Sequence, residues 1–142
     1  MSKNTNLPLN FYFTTKDPEF STITTVVPAP AGNYISHVFV RAPLYDFTDQ
    51  RIGYKVTDDY VQQVAENKYI VRLNNTYHFD DKGSVSWQYV FENDKNTVFY
   101  QVNQVVASNI IATTGAFYGK TGNVSLFPKA DGTRVVNVTF SN

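Results

Sequence analysis

The chain has 142 residues, and its twelve basic and twelve acidic side chains cancel to a formal net charge of zero. That length suits one domain with a real core, and the charge balance gives no electrostatic reason to expect nucleic acid or an anionic membrane as partner. With no cysteine in the chain, disulfides, thiolate catalysis and cysteine metal sites are excluded.

The first twenty residues are polar and proline-marked, and read as an N-terminal arm (1–20) ahead of one domain over 21–142. Within the arm, Leu7, Leu9, Phe11 and Phe13 recur at a spacing of two. Such a segment is suited to adding a strand to a neighbour or to its own sheet edge. The start of the chain has no apolar run long enough for a signal peptide. No stretch approaches the roughly 20 apolar residues of a membrane helix. A soluble cytoplasmic protein is the expectation, with a virion as the other setting.

Strands are expected at 21–27, ahead of Pro28 and Pro30, and then at 34–41, 50–57 and 60–65. Over 69–79 the odd positions are Tyr69, Val71, Leu73, Asn75, Tyr77 and Phe79, a period of two that marks a strand. Asp80, Asp81, Lys82 and Gly83 supply turn chemistry. Val85, Trp87, Tyr89 and Phe91 then alternate with Ser84, Ser86, Gln88 and Val90, completing an antiparallel hairpin with one aromatic face. Further strands are expected at 97–111, 122–127 and 134–140. Short connections between about eight strands fit a meander sandwich or a closed barrel. Closure is favoured because long Val- and Tyr-rich strands would otherwise leave adhesive edges.

Between the last strands lies TGAFYGKTG, starting at Thr114, which contains GKT behind a glycine. A phosphate-binding loop needs four residues between its glycines and a helix after it. Here Gly115 and Gly119 enclose three residues, and a strand pattern follows. The glycines need another explanation.

The order RAPLYDFTDQRIGYKV, NNTYHFDDKGSVSWQYVF, IIATTGAFYGKTGNVSLF and GTRVVNVTF resembles the allene oxide cyclase and dirigent superfamily. Gly115, Phe117, Gly119 and Gly122 match that superfamily's G-x-F-x-G-x-x-G element at every position. The resemblance covers roughly 41–140. It implies an all-β fold: a single antiparallel eight-stranded closed barrel, lipocalin-like, with glycines turning tightly at the rim and Phe117 plugging one end. It also implies a mainly apolar cavity that works without a cofactor. The residue three before Tyr45 is Ala42, where the cyclases hold an asparagine, and 21–27 carries no carboxylate.

Candidate cavity residues are Asn75, Tyr77, Trp87, Tyr89 and Phe117, with Asp59 as the candidate catalytic group. A buried Asn75 must satisfy a neighbour or meet a ligand. For Asp59 two readings conflict. Matching to the superfamily turns Asp59 inward with Lys55 and Thr57, whereas the apolar set Ile52, Tyr54 and Val56 would turn the opposite face inward. A bulge near Asp58 and Asp59 would reconcile them. Inside the barrel, desolvation would raise the pKa of Asp59 and suit it to general acid–base work. The two histidines, His37 and His78, have no carboxylate spacing that makes a metal site, and His78 is out of phase with the aromatic face. No cofactor and no metal are expected.

Three functions remain open on this reading. One is a cofactor-free cyclase or isomerase that folds a hydrophobic unsaturated substrate. Another is a carrier of a small hydrophobic ligand. The third is a structural or assembly protein, a virion or surface component, using the barrel as a brick. A homo-oligomer is expected, with Tyr54 or the arm buried between chains.

Overall fold

The computed structural model describes residues 8–28, 34–95 and 101–141. They form β1 (Leu9–Thr14), β2 (Ser21–Pro28), β3 (Tyr34–Tyr45), β4 (Arg51–Ala65), β5 (Lys68–Phe79), β6 (Gly83–Asn93), β7 (Val106–Thr113), β8 (Thr121–Pro128) and β9 (Thr133–Ser141), with a 3-10 turn at Gly115–Phe117. All pairings are antiparallel, in the order β1-β9-β8-β7-β6-β5-β4-β3-β2. A further pairing of β1 with β3 closes eight of these strands into a barrel. Strand β2 lies outside that closure and, among the described residues, pairs with β3 alone.

The closing seam is narrow. Tyr12 faces Tyr45 across it, with the rings stacked 5.5 Å apart. Each hydroxyl donates to a carboxylate, Tyr12 to Asp49 at 2.5 Å and Tyr45 to Asp17 at 2.7 Å. Residues 1–20, read as an arm, thus contain a stave of the barrel. Phe11 and Phe13 are buried in this chain's own core, where Phe11 meets Tyr77 and Phe79 edge-on at 5.0 and 5.2 Å. Leu7 falls outside the described residues.

Alternation sets the inward face of each strand. On β9, Arg134, Val136, Val138 and Phe140 are buried while their neighbours are not. On β4 the buried set is Gly53, Lys55, Thr57, Asp59 and Val61. The apolar-pattern reading of β4 is therefore overturned: Ile52, Tyr54 and Val56 face outward. Tyr54 is covered there by Arg41, 5.0 Å from its ring centroid, and by His78 at 5.0 Å between rings. No bulge is needed at Asp58 and Asp59, because the register runs unbroken through both. The two strands expected at 50–57 and 60–65 are one.

The strand expected over 97–111 starts later, at Val106. Residues 97–100 lie outside the described residues. Before β7 the chain turns, with Gln104 N–H bonded to Gln101 and Asn103 at a φ of 63°, a left-handed conformation that asparagine tolerates.

The glycine-rich segment closes one end. Phe117 is buried, stacked on Phe140 at 5.5 Å and edge-on to Phe79 at 5.7 Å. Gly115 sits at a φ of 65°, and a Cβ there would lie 2.4 Å from the Lys82 carbonyl oxygen. The close approach of two rim turns is what requires glycine.

Candidate functional site

Cross-strand register stacks the barrel interior in rows. Moving away from the Phe117 end, Gly53 pairs with Phe79, Lys55 with Tyr77, Thr57 with Asn75, and Asp59 with Leu73. Strand β6 extends the last three rows with Val85, Trp87 and Tyr89. Two apolar clusters result. The larger one packs Phe11, Phe79, Phe117 and Phe140 with the valines of β8 and β9. The smaller one is Val61, Val71 and Leu73, flanked by Tyr69, Tyr89 and Phe91. Between them lies a polar layer built from Lys55, Thr57, Asp59, Asn75 and Arg134, all buried.

This layer is poorly satisfied. Thr57 Oγ1 donates to Asn75 Oδ1 at 3.3 Å. Among the described residues, Asp59 Oδ1 and Asn75 Nδ2 are buried without a hydrogen-bond partner. Tyr77 Oη and Trp87 Nε1 make no hydrogen bond of ordinary geometry, but the indole N–H lies close enough to the Tyr77 hydroxyl to favour it electrostatically. Native interiors normally pair such atoms, and these in adjacent rows mark the place where the fold departs from pure packing.

Its electrostatics follow from burial. Burial raises the Asp59 carboxyl above the ordinary carboxylate range, and the Lys55 ammonium and a backbone hydrogen bond from Asn74 only partly oppose it. Burial likewise lowers the Lys55 ammonium, against the pull of Asp59 and assisted by the Arg134 charge. Lys55 Nζ sits 4.1 Å from the ring centroid of Phe13, a cation–π contact that compensates part of its lost hydration. The Tyr77 hydroxyl is held protonated by its burial.

Among the described residues, the ladder between β6 and β7 covers Val85, Ser86 and Trp87, and beyond it Ser108 Oγ donates to the Gln88 carbonyl at 2.7 Å. Past that point lies a half-open cavity of about 520 Å3, with Tyr89, Phe91, Val105 and Val106 on its apolar part and Glu92, Asn93, Asp94, Lys95, Gln101 and Gln104 making most of its lining polar. Tyr89 belongs both to this wall and to the Asp59 row.

Asp59, Asn75, Tyr77 and Trp87 are thus brought together in the polar layer, and Tyr89 links them to the cavity. Phe117 is not among them: it plugs the far end, next to Phe79, three rows from Asp59. His37 and His78 lie on the outer face, His37 against Asp58 and between Phe39 and Tyr60. Sequence reading missed Arg134 and Phe13. The signal for Arg134 was present, since it shares the parity of Val136, Val138 and Phe140.

No protein-family model matches the chain, and no curated protein matches it in sequence. Among solved structures, the chain is similar to the pterocarpan synthase dirigent protein, with a TM-score of 0.54 and 17% identity over 94% of this chain and 87% of that one. At that identity the likeness establishes the fold: a dirigent-like β-barrel.

Proposed function

We propose that the barrel binds a small amphipathic molecule carrying an oxygen at one end. Its apolar part would lie against Tyr89, Phe91, Val105 and Val106, its polar edge against the 92–95 side of the cavity, with the oxygen directed towards the Asp59 row. The carrying observation is the adjacency of the cavity to a layer in which Asp59 Oδ1 and Asn75 Nδ2 are buried without partners. Asn75 Nδ2 is a donor, Tyr77 and Trp87 beside it meet only each other, and a buried donor left unmade costs about 1–3 kcal/mol. A ligand oxygen is the complement such donors call for.

Catalysis is a second reading of the same site, favoured by Asp59. A carboxyl raised by burial is suited to exchange protons near neutral pH. With orientation and exclusion of water, that chemistry is enough for a cofactor-independent cyclase or isomerase of the allene oxide cyclase-like kind. The barrel it resembles in fold is described as a synthase. The carrier role requires only the cavity, and the structural role requires neither.

Trp87 is the sole tryptophan and is fully buried, so its fluorescence reports directly on the layer. Titration with anilinonaphthalene sulfonate and with apolar ketones of increasing length should give saturable quenching. The response should weaken about tenfold or more in Asn75→Leu, which removes one donor. Absence of saturable binding by every probe would leave the barrel a structural element. Binding without conversion of any unsaturated ketone would leave it a carrier.

A further inference from the structure

Lys55 is the only buried lysine among the described residues, whereas Lys16, Lys68, Lys82, Lys95 and Lys129 are exposed. Its side chain leaves β4 on the inward face, and its nitrogen lies over the ring of Phe13. Among the described residues, no carboxylate comes within ion-pair distance of that nitrogen. Burial drives the ammonium towards the neutral amine, Arg134 pushes the same way, and Asp59 opposes both from further off. A buried ammonium without a close anion is costly, so the neutral form is favoured here. A neutral amine is a nucleophile, and lysines desolvated beside a second cation are the kind that condense with carbonyl carbon.

The amine is tied to the cavity side of the barrel through Phe13. Phe13 pairs with Arg134 on β9, and Arg134 pairs with Pro128 on β8. The Pro128 carbonyl accepts the Asn103 N–H at 2.7 Å, within the 101–106 segment that walls the cavity. Phe140, at the sealed end, is three inward positions further along β9. A site that keeps water out also protects the product, because imines are lost by hydrolysis.

We infer that Lys55 captures the oxygen-bearing end of the ligand as an imine, which makes that ligand an aldehyde or an unhindered ketone. The inference rests on the binding proposed above. The nitrogen lone pair attacks the carbonyl carbon, a C–N bond forms, and the C=O π pair moves to oxygen, which takes one N–H proton. The second N–H proton then leaves with that oxygen as water, the C–O bond breaking as C=N forms. Nothing is oxidised or reduced, so no further reactant is needed. Asp59, the buried acid of the layer, is the group to relay those protons.

The imine can be trapped in the wild-type chain with cinnamaldehyde and sodium cyanoborohydride, and the adduct mapped by peptide mass spectrometry. Reduced adduct should form at Lys55 about tenfold or more faster than at Lys68 or Lys82. Excess cinnamyl alcohol, which has the same skeleton and no carbonyl, should suppress it. Lys55→Met and Lys55→Arg should both abolish the adduct at this position, and mapping in the wild-type chain keeps the result independent of how either variant folds. Saturable quenching of Trp87 by cinnamaldehyde with no adduct at Lys55 would overturn the inference and leave the binding proposal standing. Equal labelling of Lys55, Lys68 and Lys82 would overturn it as well. So would tighter binding of cinnamate than of cinnamaldehyde, which would mean that Lys55 stays charged and holds a carboxylate. Absence of both quenching and adduct would remove the two proposals together.

Discussion

Asp59 and Lys55 are buried titratable groups through which pH should act on the stability of this protein. A carboxyl whose pKa is higher in the folded than in the unfolded chain favours folding only while protonated. Its contribution is complete below the ordinary carboxylate range and drains away as pH climbs towards the raised folded value. Asp59 is of this kind, because burial raises it. The protein should therefore lose stability from mildly acidic to neutral pH, and Asp59→Asn should flatten that decline by several degrees of melting temperature. Lys55→Met removes the cation that holds the Asp59 value down, so its decline should be steeper than wild type and should extend to higher pH. Parallel melting curves for wild type and both variants would refute this assignment. The glycine turn makes a second residue-scale case. A Cβ at Gly115 meets backbone oxygen, while one at Gly119 meets nothing within 4 Å at a φ of 79°. Gly119→Val should thus cost about 1–3 kcal/mol from backbone strain alone. Gly115→Val should cost clearly more, since two rim turns must separate. Equal melting temperatures for the two variants would contradict the rim packing.

At the scale of elements, β1 carries the closure. Phe11 is fully buried between Tyr77 and Phe79, so Phe11→Ala should cost about 3–5 kcal/mol. Deleting residues 1–15 removes a stave and exposes β9 and the interior. That truncated chain should fail to fold, as read by loss of cooperative melting. A stable truncated barrel would show that β1 is dispensable. The sequence carried part of this. Period-two spacing at Leu9, Phe11 and Phe13 was legible, but the polar residues and prolines around it made the segment look like an arm. The hairpin of β5 and β6 was legible because its inward face is aromatic and its outward face polar. Strand β4 was not, because its inward face is Gly53, Lys55, Thr57 and Asp59 while apolar side chains look outward. Hydrophobic pattern identifies a core face only where the core is apolar, and it inverts where a polar layer crosses the barrel. The same inversion is what marks the candidate site.

Across the whole molecule the barrel is asymmetric. One end is sealed by Phe11, Phe79, Phe117 and Phe140, which belong to the larger core cluster. The other end rests on Val61, Val71 and Leu73 and borders the cavity. Local opening is easiest where buried apolar contacts are few and backbone bonds face solvent. Strand β6 beyond Trp87, paired to β5 but among the described residues joined to β7 only by the Ser108 hydroxyl on the Gln88 carbonyl, comes nearest to both conditions. Its amides at 88–93 should exchange with solvent well before those of β8 and β9, which pair on both sides. If the cavity takes a ligand, a saturating probe should slow exchange at 88–93 and in the facing 101–106 segment, leaving the sealed end unchanged, because binding stabilises only the states that contact it. Uniform exchange along the strands would deny that β6 opens there. Protection that appears instead around Phe117 would move the binding site to the sealed end and detach it from the Asp59 layer.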